Sequence, residues 1–268
     1  MLRKSVDEYT IELHSELSNR ISFYSRFGFL RTVKGLRPGC LNGFIGTTGS
    51  GKSTLIKTIV ADTLKDCNCL VWLSEESVEE YQPKINTIIT DKLLLDRLFF
   101  IEEKKISEEY FLDQRKFFFF MKESILKSRA NVLIIDNITT SYLYSEEVTI
   151  KEQGRSALFL SKIAKELNIA IVYVAHTKKT VNDTYSGMIT KEDIRGSQKI
   201  VIMTEYLYIL QKFQSGESAY PIMQICKHRF HEVNDRYYVL HYKDGNYTKD
   251  KLVKFELVKQ MFRQRDVL

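Results

Sequence analysis

Eight consecutive residues, Gly46-Thr47-Thr48-Gly49-Ser50-Gly51-Lys52-Ser53, fill every fixed position of the phosphate-binding loop pattern G-x-x-x-x-G-K-[S/T]. Background frequencies of roughly 7% Gly, 6% Lys and 12% Ser/Thr make the four fixed positions coincide about once per hundred chains of this length. Glycines let a backbone wrap phosphates, and the loop N–H groups and the following helix N-terminus supply positive potential. Lys52 is then the residue that reaches the β- and γ-phosphates, and Ser53 the one that holds Mg²⁺, with Thr54 completing the cradle. ATP and Mg²⁺ are the expected ligands. About 80 residues on, the apolar run Val132–Ile135 ends in Asp136, where a carboxylate can reach a Mg²⁺ shell beside such a loop. Hydrolysis also needs a group that activates water, and Glu75 and Glu76 stand just past the apolar run Leu70–Leu73. On residue type and position alone, either glutamate serves.

These residues need a scaffold that brings them to one edge. From Cys40 onward, short apolar runs alternate with helical stretches: LNGFI at 41–45, a helix from about 52, LVWL at 70–73, VLIID at 132–136 and IAIVYVA at 169–175. That alternation predicts a mostly parallel sheet flanked by helices, and strands buried on both faces read as such continuous runs. EYLYIL at 205–210, PIMQIC at 221–226 and RYYVLHY at 236–242 follow with short polar turns, which predicts antiparallel strands towards the C-terminus. Gln114 to Ser128 reads as a helix whose four phenylalanines, 117–120, pack as core. An amphipathic helix is predicted over 5–26, placing Leu13, Leu17, Ile21 and Tyr24 on one face, to pack on its own core or on a neighbouring subunit. The polar stretch 177–199 reads as a surface loop.

The 268 residues carry a net charge of +6, with 44% hydrophobic and 28% charged residues, 12 Gly and 3 Pro, which excludes disordered and fibrous classes. One principal domain is expected. Cys40, Cys67, Cys69 and Cys226 are too few for a disulfide scaffold and read as reduced thiols, with no zinc site. The start, MLRKSVDEYT, has no apolar signal region, and no run approaches the ~18 apolar residues of a membrane span. A cytoplasmic protein with no membrane partner is expected.

Taken in order, GLRPG at 35–39, GTTGSGKS at 46–53, LSEES at 73–77, VLIID at 132–136, VAHTKK at 174–179, DIRGSQ at 193–198 and ICKHR at 225–229 resemble the RecA-like ATPase core of DnaB-type replicative helicases. The likeness spans about residues 28–245. It implies a P-loop NTPase fold, with a helical linker at 1–34, the ATPase domain at 35–248 and a basic amphipathic tail at 249–268, where Leu252, Phe255, Val258 and Phe262 recur at helical spacing. It further implies that Glu75 is the catalytic base and Asp136 the Mg²⁺ carboxylate, and that His176 takes the place of a polar sensor that is usually Gln. Lys227 and Arg229 resemble the K-x-R pair that projects onto the γ-phosphate of a neighbouring subunit, although Phe230-His231 replaces the usual Asn-Gly. Asp193–Gln198 resembles the D-L-R-E-S-G segment that holds single-stranded DNA, with Gly196 and Gln198 as departures, and Lys178, Lys179, Lys191, Arg195, Gly196, Ser197 and Lys199 form the expected nucleic-acid surface.

The resemblance implies a stand-alone motor core: a homo-oligomer, as a hexameric ring, that hydrolyses ATP, moves on single-stranded DNA and unwinds duplex in replication, with a loader or primase as further partner. Two other functions fit the same core. One is a RecA-like recombination or strand-annealing ATPase that forms filaments on DNA. The other is a regulatory ATPase that acts through protein partners.

Overall fold

The computed structural model describes residues 23, 25–111, 113–145, 148–177, 188–215, 218–230 and 235–263. Its strands are β1 (Leu41–Gly46), β2 (Cys69–Leu73), β3 (Leu98–Glu102), β4 (Val132–Asp136), β5 (Ala170–His176), β6 (Tyr206–Ser215), β7 (Ser218–His228), β8 (Arg236–Lys243) and β9 (Asn246–Val253). The helices are α1 (Gly28–Thr32), α2 (Lys52–Thr63), α3 (Val78–Asn86), α4 (Gln114–Ser128), α5 (Ile150–Glu166), α6 (Lys199–Met203) and α7 (Phe255–Arg263). All strands join one sheet in the order β3-β2-β4-β5-β1-β6-β7-β8-β9, parallel from β3 to β6 and antiparallel from β6 to β9. This is the mixed α/β sheet that the apolar runs predict.

β1, β2 and β4 are buried at every position, because both faces of the sheet are covered. One core cluster joins α1, α2 and α3 to Phe44, Val71, Ile134 and Val172; the other joins α4, α5 and α6 to Ile45, Trp72, Ile135 and Tyr173. Alternate residues of each strand therefore feed opposite layers.

Several expectations need correction. Residues 1–22 and 24, which carry Leu13, Leu17, Ile21 and Tyr24, lie outside the described residues; residues 25–27 are not helical, so the predicted helix does not reach 26. Residues 25–34 are built into the domain instead. Phe27, Phe29, Leu30 and Val33 are buried, Asp62 accepts from Ser25 Oγ and Arg26 Nε, and Asp250 on β9 caps α1 through the N–H groups of Gly28 and Phe29. Of the four phenylalanines only Phe117 is fully buried; Phe118 stacks on Phe159, Phe120 lies edge-on to Trp72, and Phe119 is 62% exposed. Consecutive helical side chains diverge by about 100°, so four in a row cannot share one face. Residues 249–253, assigned to the tail, are the second half of β9, and Leu252 belongs to that strand; the helix starts only at Phe255 and seats Val258 on Ile222 and Tyr237.

Candidate functional site

The phosphate loop runs from the end of β1 to the start of α2. At Gly46 an added Cβ would collide with the Leu210 carbonyl oxygen, and Gly51, at φ 94°, packs its α-carbon against the Tyr247 hydroxyl. Both positions tolerate only glycine, one for space and one for backbone conformation as well. Lys52 Nζ donates to the carbonyls of Gly46 (2.9 Å) and Thr47 (2.7 Å) and lies 3.3 Å from His176 Nδ1. Burial lowers the Lys52 pKa to about 8, against the opposing pull of Asp136 and Glu75. A desolvated ammonium resting on its own loop's carbonyls is poised to exchange them for an anion.

Strand register assembles the rest. β5 separates β1 from β4, pairs His176 with Gly46, and so sets the imidazole beside the loop. β2 and β4 pair Leu73 with Asp136, so Glu75 and Asp136 emerge side by side. Ser53 Oγ donates to Asp136 Oδ1 at 3.2 Å. Burial raises the Asp136 carboxyl to about pH 6, while Lys57 and the Ser53 hydrogen bond work against that rise. A buried carboxylate with a hydroxyl as its hydrogen-bond partner fits a divalent cation that completes its shell from water and phosphate oxygens, as Mg²⁺ does. No cluster of three or more His, Cys, Asp or Glu residues suits a metal among the described residues, so such an ion would depend on its nucleotide ligands.

Geometry separates the two glutamates. Glu76 accepts from Lys57 Nζ and Lys84 Nζ, each at 2.6 Å; burial pushes its pKa up, but the two lysine hydrogen bonds outweigh that and hold it low. Glu75 turns the other way, with Oε1 3.5 Å from His176 Nε2. The His176 pKa is lowered by burial and then by Lys52, so the ring is neutral at pH 7. Asn137 Oδ1 accepts from Thr139 Oγ1 (2.7 Å) and the Thr140 N–H (2.9 Å), which turns its Nδ2 towards His176 Nε2 at 2.8 Å. Asn137 Nδ2 and Lys52 Nζ are both donors, so the neutral ring accepts from only one of them, and the contact to Asn137 is the shorter.

The second group of expected residues lies elsewhere. Lys191 and Arg195 are exposed, whereas Ser197 is buried with its N–H on Gln153 Oε1 (2.9 Å), and Gly196, at φ 96°, packs against Tyr144. Lys199 opens α6, and Lys178 and Lys179 lie outside the described residues. The segment folds back on β5: the Arg195 N–H donates to the His176 carbonyl at 3.1 Å, and Thr177 bridges Ile194. Lys227 and Arg229 sit at the far end of β7, beside the start of β6, where Lys227 Nζ donates to the Val201 carbonyl (2.6 Å) and Arg229 Nη2 to the Ile202 carbonyl. By register Lys227 is level with Gly43 and Arg229 lies one residue past His228, which is level with Asn42, so along the strands they stand three to five residues, ~10–17 Å, short of the loop that starts at Gly46.

Sequence reasoning missed several neighbours. Ser74 Oγ bonds the Asn137 carbonyl (2.7 Å), Lys57 is buried beneath the Tyr81 ring, Lys212 Nζ donates to the Gly49 carbonyl (2.9 Å), and Tyr247 supports Gly51 from β9. Ser74 and Asn137 adjoin residues that the motifs single out. Lys212 and Tyr247 carry no local signal.

No protein-family model matches the chain. Over 147 residues, 52% of the chain, it is 29% identical to the DNA repair and recombination protein RadB of Methanosphaera stadtmanae, and the match spans 60% of that protein's length. Among solved structures it superposes with a TM-score of 0.72 and 13% identity on a DnaB-like replicative helicase studied with its interactions with primase, covering 92% of this chain and 67% of that one. The superposition shows that the chain shares its mixed α/β fold with that DnaB-like helicase.

Proposed function

We propose that the protein is an oligomeric ATPase of the DnaB type that couples hydrolysis at subunit interfaces to movement along single-stranded DNA and to unwinding, as a hexameric ring. The observation that carries this reading is the convergence of Lys52, Ser53, Asp136, Glu75 and His176 at one edge of the sheet, with the K-x-R pair at the other. Lys52 leaves its loop carbonyls for the β- and γ-phosphates, and the His176 ring, whose Nδ1 faces it, lies beside the same anion. Residues Gly46 to Thr54 wrap the phosphates with backbone N–H groups. A Mg²⁺ held by Ser53 and Asp136 would offset charge on the β- and γ-oxygens. Glu75, free of the lysines that engage Glu76, orients and deprotonates the attacking water.

Lys227 and Arg229 cannot reach their own phosphate loop from the far edge, so they act on the triphosphate of a second copy. That makes turnover depend on assembly. Lys191, Arg195 and Lys199, with Lys178 and Lys179 in the same segment, are assigned to the sugar-phosphate backbone of single-stranded DNA, while Ser197, buried on Gln153, and Gly196, packed against Tyr144, hold the segment in place instead of touching DNA. The backbone bond from Arg195 to His176 joins this surface to the γ-phosphate side. A loader or primase is the further partner class, in keeping with the primase contacts of the DnaB-like helicase. No helix of the described residues is long and apolar enough to cross a membrane.

The likeness to RadB favours a second reading, a recombination ATPase that assembles filaments on DNA. Steady-state ATP hydrolysis with and without long single-stranded DNA, at two salt concentrations, tests the first. Stimulation that weakens with salt, followed by strand separation, is the expected result. Stimulation with filaments and no unwinding supports the second reading, and turnover indifferent to nucleic acid overturns both.

A further inference from the structure

The K-x-R pair poses a physical problem that the rest of the site does not. Lys227 lies at the end of β7 and Arg229 one residue past it, yet both reach the Ile202 carbonyl, so the two cations crowd and repel each other, and burial together with the neighbouring Arg229 lowers the Lys227 pKa. The last carbonyls of α6 hold them in part: Val201 and Ile202 accept from Lys227, and Ile202 from Arg229. These are end-of-helix carbonyls without partners inside the helix. They supply partial negative charge and a hydrogen bond to the guanidinium, but no full charge. That is supplied by Glu205, whose side chain is only 4% exposed, just before β6. Its Oε1 lies 3.8 Å from Arg229 Nη1, and its Oε2 accepts the N–H of Leu41, the first residue of β1, at 2.8 Å. Arg229 itself is 43% exposed, so part of its side chain stays open to solvent while Glu205 is enclosed beside it.

We propose that Glu205 is a positioning residue for the trans-acting pair: its carboxylate aims the Arg229 guanidinium outward and ties it to the strand that ends in the chain's own phosphate loop. One side chain then fixes both the direction of the finger and its distance from the chain's own site. This rests on the reading of Lys227 and Arg229 as a pair that acts on a neighbouring subunit.

Two substitutions separate this from a structural role. Glu205→Gln keeps an oxygen for the Leu41 N–H but removes the charge beside Arg229; Glu205→Asp keeps the charge but withdraws by one methylene from both partners. If Glu205 merely caps β1, the Asp variant is the more damaged, in melting temperature and in turnover. If it positions Arg229, the full-length Gln variant loses about fivefold in kcat, the scale of an ion pair with a part-exposed partner, at unchanged KM for ATP, and the Asp variant retains more. A double-mutant cycle completes the test. Glu205→Gln adds nothing to Arg229→Ala, because both remove the same action. An impaired Arg229→Ala enzyme beside a Glu205→Gln enzyme with normal turnover, or with a loss that adds to that of Arg229→Ala, overturns the proposal while leaving the finger intact. Normal turnover in Arg229→Ala overturns the finger and this proposal together. Should the Gln variant not fold, the same cycle with Glu205→Asp decides: no coupling to Arg229→Ala overturns the proposal.

Discussion

The two ends of the sheet differ in what they leave unfinished. At the carboxyl edge of β1, β2, β4 and β5, every reactive group has a partner in the same chain: Lys52 on the loop carbonyls, Ser53 on Asp136, Glu75 near His176, and His176 on Asn137. On the proposed reading this edge is a nucleotide cradle whose internal contacts stand in for the ligand. At the amino edge, Lys227 and Arg229 rest on the carbonyls of α6 beside Glu205 with no phosphate-binding element in reach. On the proposed reading, one end is a site that waits for a small molecule and the other a tool that needs a second copy, and chemistry divided in this way would make assembly a condition for turnover.

The largest effects should fall at the complete edge and discriminate between neighbours in sequence. Glu75→Gln is expected to lower kcat about a thousandfold, the range of general base catalysis, with ATP affinity retained. Glu76→Gln breaks contacts to Lys57 and Lys84 and should cost about 1 kcal/mol of stability with turnover changed only a few fold. Steady-state kinetics beside thermal melts check both, and the reverse order would reassign the base.

The amino edge is tested by mixing. Lys52→Ala destroys a subunit's own cradle but leaves its finger, while Arg229→Ala does the opposite. Each alone should lose at least about a hundredfold in turnover. Mixed in equal amounts they should recover activity well above the sum of the two, because a fingerless site meets a neighbour with a finger. No recovery in co-assembled protein would mean that the amino edge has no part in hydrolysis.

The two edges were not equally legible in the sequence. The phosphate loop, Asp136 and the buried strands declare themselves through local pattern, since a strand covered on both faces has to be continuously apolar, as Val132–Ile135 is. β9 shows nothing of the kind: it lies at an exposed edge, where Lys249 and Lys251 face water and blunt further pairing. Its one local signal is the Asp244-Gly245 turn, both residues at positive φ, which forms the hairpin from β8. Thr149 and Glu152 likewise announce α5 through a capping box. Tyr247 and Lys212, which brace the loop from β9 and β6, depend on strands brought together by the tertiary fold. Glu75 and Glu76 are alike as letters, and only the packing of Lys57 and Lys84 against one of them tells them apart.

Between the edges lies Arg195, whose backbone is tied to His176 while its side chain is exposed. Arg195→Ala should weaken single-stranded DNA binding a few fold and reduce the slope of log K against log salt by about 0.7, the share of one phosphate contact. Fluorescence titrations at several salt concentrations measure it. A slope unchanged within error would remove this residue from the DNA surface.

The smallest effect tests whether the carboxyl edge is held at a cost. Asp136 titrates near pH 6 in the fold and near 3.8 in the unfolded chain, with burial as the main cause. Between about pH 4 and pH 6 the native state therefore binds more protons than the unfolded state, and stability falls as pH rises through that window. Lys52 has the opposite sign of shift: with a folded value of about 8 against 10.5, the unfolded chain binds more protons between them, so its contribution recovers only as pH rises above about 8. At pH 7 both groups oppose folding, which is what a site preloaded with desolvated charge should do. Asp136→Asn keeps the shape and loses the titration. Melting temperatures from pH 4 to pH 7 should show the variant overtaking the parent by a few degrees at pH 7, with the gap closing towards pH 4, while metal-dependent turnover disappears. Parallel curves across the window would mean that this edge carries no such strain, and that its difference from the amino edge lies only in which partners each one lacks.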